Sequence, residues 1–313
     1  MSNVEPEITK WIWYPYIPRN KITLIEGDPG IGKTFMALAI ASALSKKQRL
    51  PEQKDKPVHH KILLMCGEDG AGDTIRPRLN FLKADCKNIY ILDKPMRFDE
   101  DGLHEFLALL EELRPTIVFI DPLSSYTYSA DSNNSSEVRG FMQGLMEVMK
   151  IVNTTIVGIR HFGKSRKDKS LYQGLGSIEY AASARSIIQV GKDPEDDNGR
   201  AMIQVKSNLA KQGGAIGFQF FGEDKTPFLW TGASSLTIDE IMGAKSEDTG
   251  KSLDDDLEQF VGDMLSNDPL PSRVVKMRCE SKGFSYELVK ATMKKMGAIY
   301  EKVEGKYHWS LSD

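Results

Sequence analysis

Eight residues, Gly27-Asp28-Pro29-Gly30-Ile31-Gly32-Lys33-Thr34, follow the pattern GxxxxGK[ST] and lie directly between the apolar run ITLIE and the helical stretch TFMALAIASAL. A strand that stops at a glycine turn, with a helix starting at once behind it, aims main-chain amides and the positive end of the helix at one point. That point stabilises an anion. In this arrangement Gly27, Asp28, Pro29, Gly30, Ile31 and Gly32 wrap phosphates, Lys33 reaches the β- and γ-phosphates, and Thr34 holds Mg²⁺. A glycine turn that binds nothing is the alternative, and it leaves both flanking elements without a reason. The motif implies a nucleoside triphosphate, with ATP and Mg²⁺ as the expected pair.

The same alternation continues along the chain. Residues 22–26, 62–66, 116–120 and 154–159 are short apolar runs rich in β-branched residues, which suits buried parallel strands. Between them, Lys33–Ser45, Thr74–Lys83, Asp101–Leu113 and Glu137–Ile151 carry helical patterns. Alternating strands and helices predict an α/β fold with a central, mainly parallel, doubly wound sheet. After Arg185 the pattern shortens into extended stretches at 186–190, 202–205, 215–221 and 227–230, which predict antiparallel strands on the sheet edge. Residues 232–256 are rich in Gly, Ser and acidic side chains, as a linker is. The expected division is 1–235, a linker over 236–253, and a small domain over 254–313.

Three further polar residues stand at strand ends, where an open α/β sheet gathers its chemistry. Asp121 closes TIVFID, beside the phosphate loop, and suits the metal side; the alternative is a turn-capping Asp before Pro122. Glu68 ends ILLMCGED and is the candidate for polarising the attacking water, with a surface-turn role and its neighbour Asp69 as alternatives. His161 closes the fourth strand, where a polar side chain can sense the γ-phosphate, although a lone His is commonly structural.

Composition excludes several classes. Of 313 residues, 40% are hydrophobic and 27% charged, too apolar for wholesale disorder. No apolar run is long enough for a membrane span, and the first residues, MSNVEPEITK, lack the basic and apolar parts of a signal peptide, so a cytoplasmic protein without membrane contact is expected. Cys66, Cys86 and Cys279 have no metal-binding spacing and are odd in number, which argues against zinc and disulfides. A net charge of -3 rules out a uniformly basic coat. Local charge differs: residues 160–169 hold five Arg or Lys against one Asp. There Lys164, Arg166, Lys167 and Lys169 suit a grip on a nucleic-acid backbone, with a solvated loop as the alternative. The segment 271–306 holds nine Lys or Arg against four Glu. It reads as two helices and a hairpin behind helix 257–265, the order of a winged helix. Lys290 and Lys294 are its candidate DNA contacts, and docking to another protein is the alternative. Trp11, Trp13, Tyr14 and Tyr16 offer no specific base-recognition residue and suit packing of the first strand.

Together, YPYIPRNKITLIEGDPGIGKT, the strand-end GEDG with RPRL, FIDPLSSY, and the run from IRHFGKS to GSIEYAASARSIIQV resemble the RecA-like fold of superfamily 4 ATPases, specifically the RepA-like hexameric helicase group. The resemblance runs from about Trp13 to Trp230. It implies that Glu68 is the catalytic glutamate and His161 the γ-phosphate sensor. It also implies that Arg185 and Lys206 enter the neighbouring subunit's site, with ordinary surface salt bridges as the alternative. The tail is similar to the small winged-helix domains attached to this group. The expectation is a ring-forming, hexameric DNA helicase or translocase of a mobile-element or phage replication system, with single-stranded DNA and replication proteins as partners. The alternative is a nucleotide-switched DNA-binding regulator or loader that unwinds nothing.

Overall fold

A computed structural model describes residues 5, 7–94, 96–127, 135–162, 178–220, 228–243, 253–265, 269–281, 286–303 and 306–310. The chain begins with the antiparallel pair β1 (Trp11–Trp13) and β2 (Ile17–Pro18), followed by β3 (Ile22–Gly27) and α1 (Lys33–Ser45). Next come β4 (Ile62–Cys66), a π-type turn over Ala71–Ile75 leading into α2 (Arg76–Phe81), β5 (Ile89–Leu92), α3 (Glu100–Leu113) and β6 (Ile117–Asp121). These are followed by α4 (Ser135–Val152), β7 (Thr155–His161), α5 (Ile178–Ser183), β8 (Ser186–Lys192), β9 (Gly199–Ser207), β10 (Ala215–Phe220), β11 (Phe228–Ser234) and α6 (Ile238–Gly243).

Among the described residues, nine strands form one sheet in the order β11-β10-β9-β8-β3-β7-β6-β4-β5. From β8 to β5 every neighbour is parallel, and β9, β10 and β11 add antiparallel strands to one edge. The α/β expectation stands, with the strand over Ser186–Lys192 joining the parallel set. It pairs with β3 because the chain enters it through α5, a crossover, and not through a hairpin. Strand β5 escaped the sequence reading; its four residues are all half-buried at the sheet edge, which weakens the apolar signal.

Alternation along each strand divides the core into two layers. Ile25, Val157 and Ile159 face the layer that holds α1, while Leu24, Ile156 and Val118 face the layer of α3 and α4. Every residue of α1 except Thr34 is buried, which accounts for its apolar character on all sides.

The chain forms two units, Met1–Ala244 and Lys245–Asp313. Residues 236–243, read as linker, contain α6, whose Ile241 is buried against Gly191 of β8. A single apolar stretch among polar residues carries too little signal to show that packing. The second unit contains α7 (Leu253–Leu265), β12 (Leu270–Pro271), α8 (Ser272–Ser281), α9 (Tyr286–Lys295), β13 (Ile299–Val303) and β14 (Lys306–Ser310). Its strands pair in the order β12-β14-β13 around a core that includes Leu257, Val261, Val275, Cys279, Val289, Met293 and Trp309. No helix among the described residues is long and apolar enough to cross a membrane.

Candidate nucleotide site

The turn between β3 and α1 depends on two glycines in left-handed conformation, Gly30 (φ 72°) and Gly32 (φ 98°). A side chain at Gly32 would also bring its Cβ within 2.6 Å of the Phe220 ring, so glycine is required there twice over. Gly27 is confined as well, since a Cβ would stand 2.6 Å from the Val190 carbonyl oxygen. The loop therefore lies close against β8 and β10, and its Pro29, Gly30 and Gly32 line a cleft of about 570 Å³.

That cleft collects side chains from five strand ends and from α1. Lys33, Thr34, Glu68, Asp121 and His161 all line it, together with Asp69, Arg78, Phe35, Arg200 and Phe220. Lys33 donates from Nζ to the carbonyls of Gly27 (2.9 Å) and Asp28 (2.7 Å), and contacts His161 Nδ1 at 3.1 Å. Burial lowers the Lys33 ammonium to about 8, against the opposing charges of Asp121, Asp28 and Glu68. An ammonium only donates, so His161 Nδ1 accepts and the neutral ring carries its proton on Nε2. Burial, followed by the charge of Lys33, lowers the His161 pKa and favours that neutral form.

Burial raises the Asp121 carboxyl to about 6, against a hydrogen bond from Thr34 and the charge of Lys33. The shift reflects burial that the Lys33 charge only partly offsets, and Mg²⁺ held by Asp121 and Thr34 would add the positive charge that favours the carboxylate. The donor set fits that ion: two hard oxygen groups beside a phosphate cradle leave most positions to triphosphate and water. Cys66, beside Asp121, is raised to about 12 by burial and then by the charges of Asp121 and Asp69, so it remains a thiol.

Glu68 and Asp69 occupy different surroundings. Asp69 accepts from Arg78 of α2 in an ion pair of 2.9 Å, and the Arg78 guanidinium also lies 5.7 Å from the Phe35 ring centroid. Sequence reasoning missed Arg78, Arg200 and Phe220, which wall the cleft. Arg200 donates to the carbonyls of Asp197 and Gly199, both at 2.6 Å, and its Nε is buried without a hydrogen-bond partner among the described residues. A basic or aromatic residue in one of the appended antiparallel strands carries no local sign of facing a phosphate loop.

Arg185 and Lys206 lie elsewhere. The Arg185 amide donates to Ile22 at the start of β3, and Lys206 of β9 pairs with Ile187 at the start of β8. Arg185 is therefore at the opposite end of the parallel strands from the phosphate loop, roughly 17 Å away along β3, whereas Lys206, whose partner Ile187 pairs with Leu24, lies at mid-strand level, roughly 10 Å away. Lys206 donates to the Ala181 carbonyl at 2.6 Å. Lys164, Arg166, Lys167 and Lys169 lie outside the described residues. Lys290 is half-buried and Lys294 exposed on α9.

A mainly parallel sheet that presents a phosphate loop, a strand-end Asp and a strand-end His to one cleft defines a RecA-like P-loop ATPase. The AAA domain family matches residues 2–167, more than half of the chain, and the chain belongs to that family. It is 30% identical over 152 residues to the DNA repair protein RadA of Chlamydia pneumoniae, covering 48% of this chain and 30% of that protein. The chain thus spans about a third of the length of the curated relatives it matches. In fold it is similar to a DnaB-like replicative helicase solved for its interactions with primase (TM-score 0.51, 17% identity, 67% of this chain and 57% of that one). It is similar also to a KaiC-like protein of Pyrococcus horikoshii OT3 (TM-score 0.52, 14% identity, 68% and 90%).

Proposed function

We propose that this ATPase is a nucleic-acid motor that assembles into a homo-oligomeric ring, a hexamer by resemblance, and acts in the cytoplasm as a DNA helicase or translocase in mobile-element or phage replication. One observation carries the reading: Lys33, Glu68, Asp121 and His161 share a cleft at one end of the parallel strands, while Arg185 stands at the other and Lys206 lies outside the cleft, against α5. Cations outside their own cleft cannot act in it, which supports a role for them in another subunit's. The similarity to RadA and to a DnaB-like helicase supports a role on DNA.

Mg²⁺, bound with ATP, neutralises charge on the phosphoryl oxygens. Lys33 leaves the Gly27 and Asp28 carbonyls for the triphosphate, and Thr34 and Asp121 face the metal side. Glu68 orients water for in-line attack, because Asp69 is engaged by Arg78. His161 offers its Nε2 proton to the γ-phosphate and responds when that phosphate leaves. Arg185 and Lys206, entering from the next subunit, stabilise the charge that develops on transfer, a contribution of about 10³–10⁵ in rate. Lys164, Arg166, Lys167 and Lys169 take the nucleic-acid backbone. The second unit acts as a winged helix with Lys290 and Lys294 toward DNA.

The test is hydrolysis with and without single-stranded DNA, with the mass of the assembly measured in Mg·ATP. A motor shows strong stimulation that Lys164→Ala/Lys167→Ala removes. Weak stimulation by a protein that still binds DNA assigns it instead to the switch or loader class, and a strict monomer removes the roles of Arg185 and Lys206.

A further inference from the structure

Arg160 and Glu26 form an ion pair of 2.7 Å between β7 and β3, and both side chains are buried. The pair occupies adjacent register positions to the site: Glu26 lies opposite Arg160, and Gly27 opposite His161. Alternation sends His161 to the face of α1 and the phosphate loop, and sends Arg160 through the sheet to the face of α4 and α5. There its guanidinium lies 4.0 Å from the Tyr180 ring centroid, within cation–π range. Tyr180 belongs to α5, the helix that follows the basic segment after His161. Two more cations meet the same short helix: Arg139 of α4 forks onto Glu179 (3.1 and 2.6 Å), and Lys206 donates to the Ala181 carbonyl (2.6 Å). Although Arg160 opens the basic stretch 160–169, it belongs to the core.

We propose that Arg160 is a positioning residue that couples the two faces of the sheet, so that a shift of His161 on losing or gaining the γ-phosphate moves α5 through the Arg160–Tyr180 contact. This rests on the ATPase reading of the site and adds its output: α5 carries the change, through the Ala181 carbonyl, to Lys206. A stretch of buried polar partners under a sensor strand has two arrangements only if its members move together, and the Glu26 carboxylate keeps Arg160 in line with the phosphate loop's own strand.

Removing one partner would strand a buried charge, so the test replaces both with apolar residues of similar volume, Glu26→Leu/Arg160→Met, in the full chain. Tyr180→Leu, which deletes only the ring contact, is the second variant. Hydrogen exchange over 178–183 is read with and without magnesium and a non-hydrolysable ATP analogue, alongside analogue affinity. The expected result is a nucleotide-dependent change in protection in the wild type that both variants lose while still binding the analogue. A wild-type change retained by either folded variant, or a wild-type α5 indifferent to bound nucleotide, overturns the proposal. DNA stimulation of hydrolysis is recorded separately: its absence in the wild type counts against the motor and leaves the coupling to the exchange data.

Discussion

The two ends of the parallel strands carry charge in opposite ways. At the carboxyl end, Lys33 and Asp121 are buried enough to displace both from their ordinary ranges, to about 8 and about 6. At the amino end, Arg185 is exposed, and Lys206, close enough to feel its charge, donates to the Ala181 carbonyl. One end is a site that is electrostatically incomplete without a charged ligand. The other presents cations that need no ligand of their own and suit a neighbour's surface. In the proposed ring the two ends would meet, and the difference between them would then be what makes hydrolysis depend on assembly.

The largest effect tests that division most directly. Lys33→Ala should abolish hydrolysis, by about 10³-fold or more, and weaken Mg·ATP binding. Arg185→Ala should lower hydrolysis by about 10³-fold while Mg·ATP binding survives. Mixing the two inactive proteins should restore part of the rate, because a subunit with an intact cleft can then face a subunit with an intact Arg185. Mixtures with no recovery, read by phosphate release, would place both residues in one function and end the contrast.

Within the cleft, Glu68→Gln should cost about 10²–10⁴ in hydrolysis with nucleotide binding retained. Asp69→Asn should change little beyond a partly exposed ion pair, worth under about 1 kcal/mol. Equal losses in the two variants, measured as kcat, would remove the special role of Glu68.

The pH dependence follows from the same burial. Folded Asp121 keeps its proton to about pH 6, whereas an ordinary Asp releases it near 3.8, so the protein without ligand loses stability as pH rises across that window. Folded Lys33 releases its proton near 8 and an ordinary Lys near 10.5, so stability rises with pH between those values. Mg·ATP needs the carboxylate and the ammonium together. The rise in Tm that it produces should therefore be greatest between about pH 6 and 8 and shrink on either side, with Asp121→Asn losing the acidic limb. Gly32→Ala should cost about 1–3 kcal/mol in chemical denaturation, from the left-handed backbone and the contact with Phe220.

Local chemistry was legible in the residues themselves. The phosphate loop needs only its own glycines, Lys33 and Thr34 between one strand and one helix, and those elements form as the sequence predicts over Ile22–Gly27 and Lys33–Ser45. The helix expected over 74–83 begins instead as a π-type turn and ends at Phe81, close to Lys83 with its positive φ. Strand ends at Asp121 and His161 could be placed for the same reason: an apolar run followed by one polar residue marks where a buried strand stops.

Apolar periodicity, glycine conformation and the charge of short segments thus set the strands, the anion cradle and the candidate groups, because each depends on neighbours within a few positions. Folding over long separations settled the rest. It turned Arg160 inward against Glu26, 134 positions away, occupied Asp69 with Arg78, brought Phe220 under Gly32, and sent Arg185 to the far end of its own sheet. Parallel pairing joins residues that are distant in the chain, and its register alone decides which face, and which end, each side chain reaches.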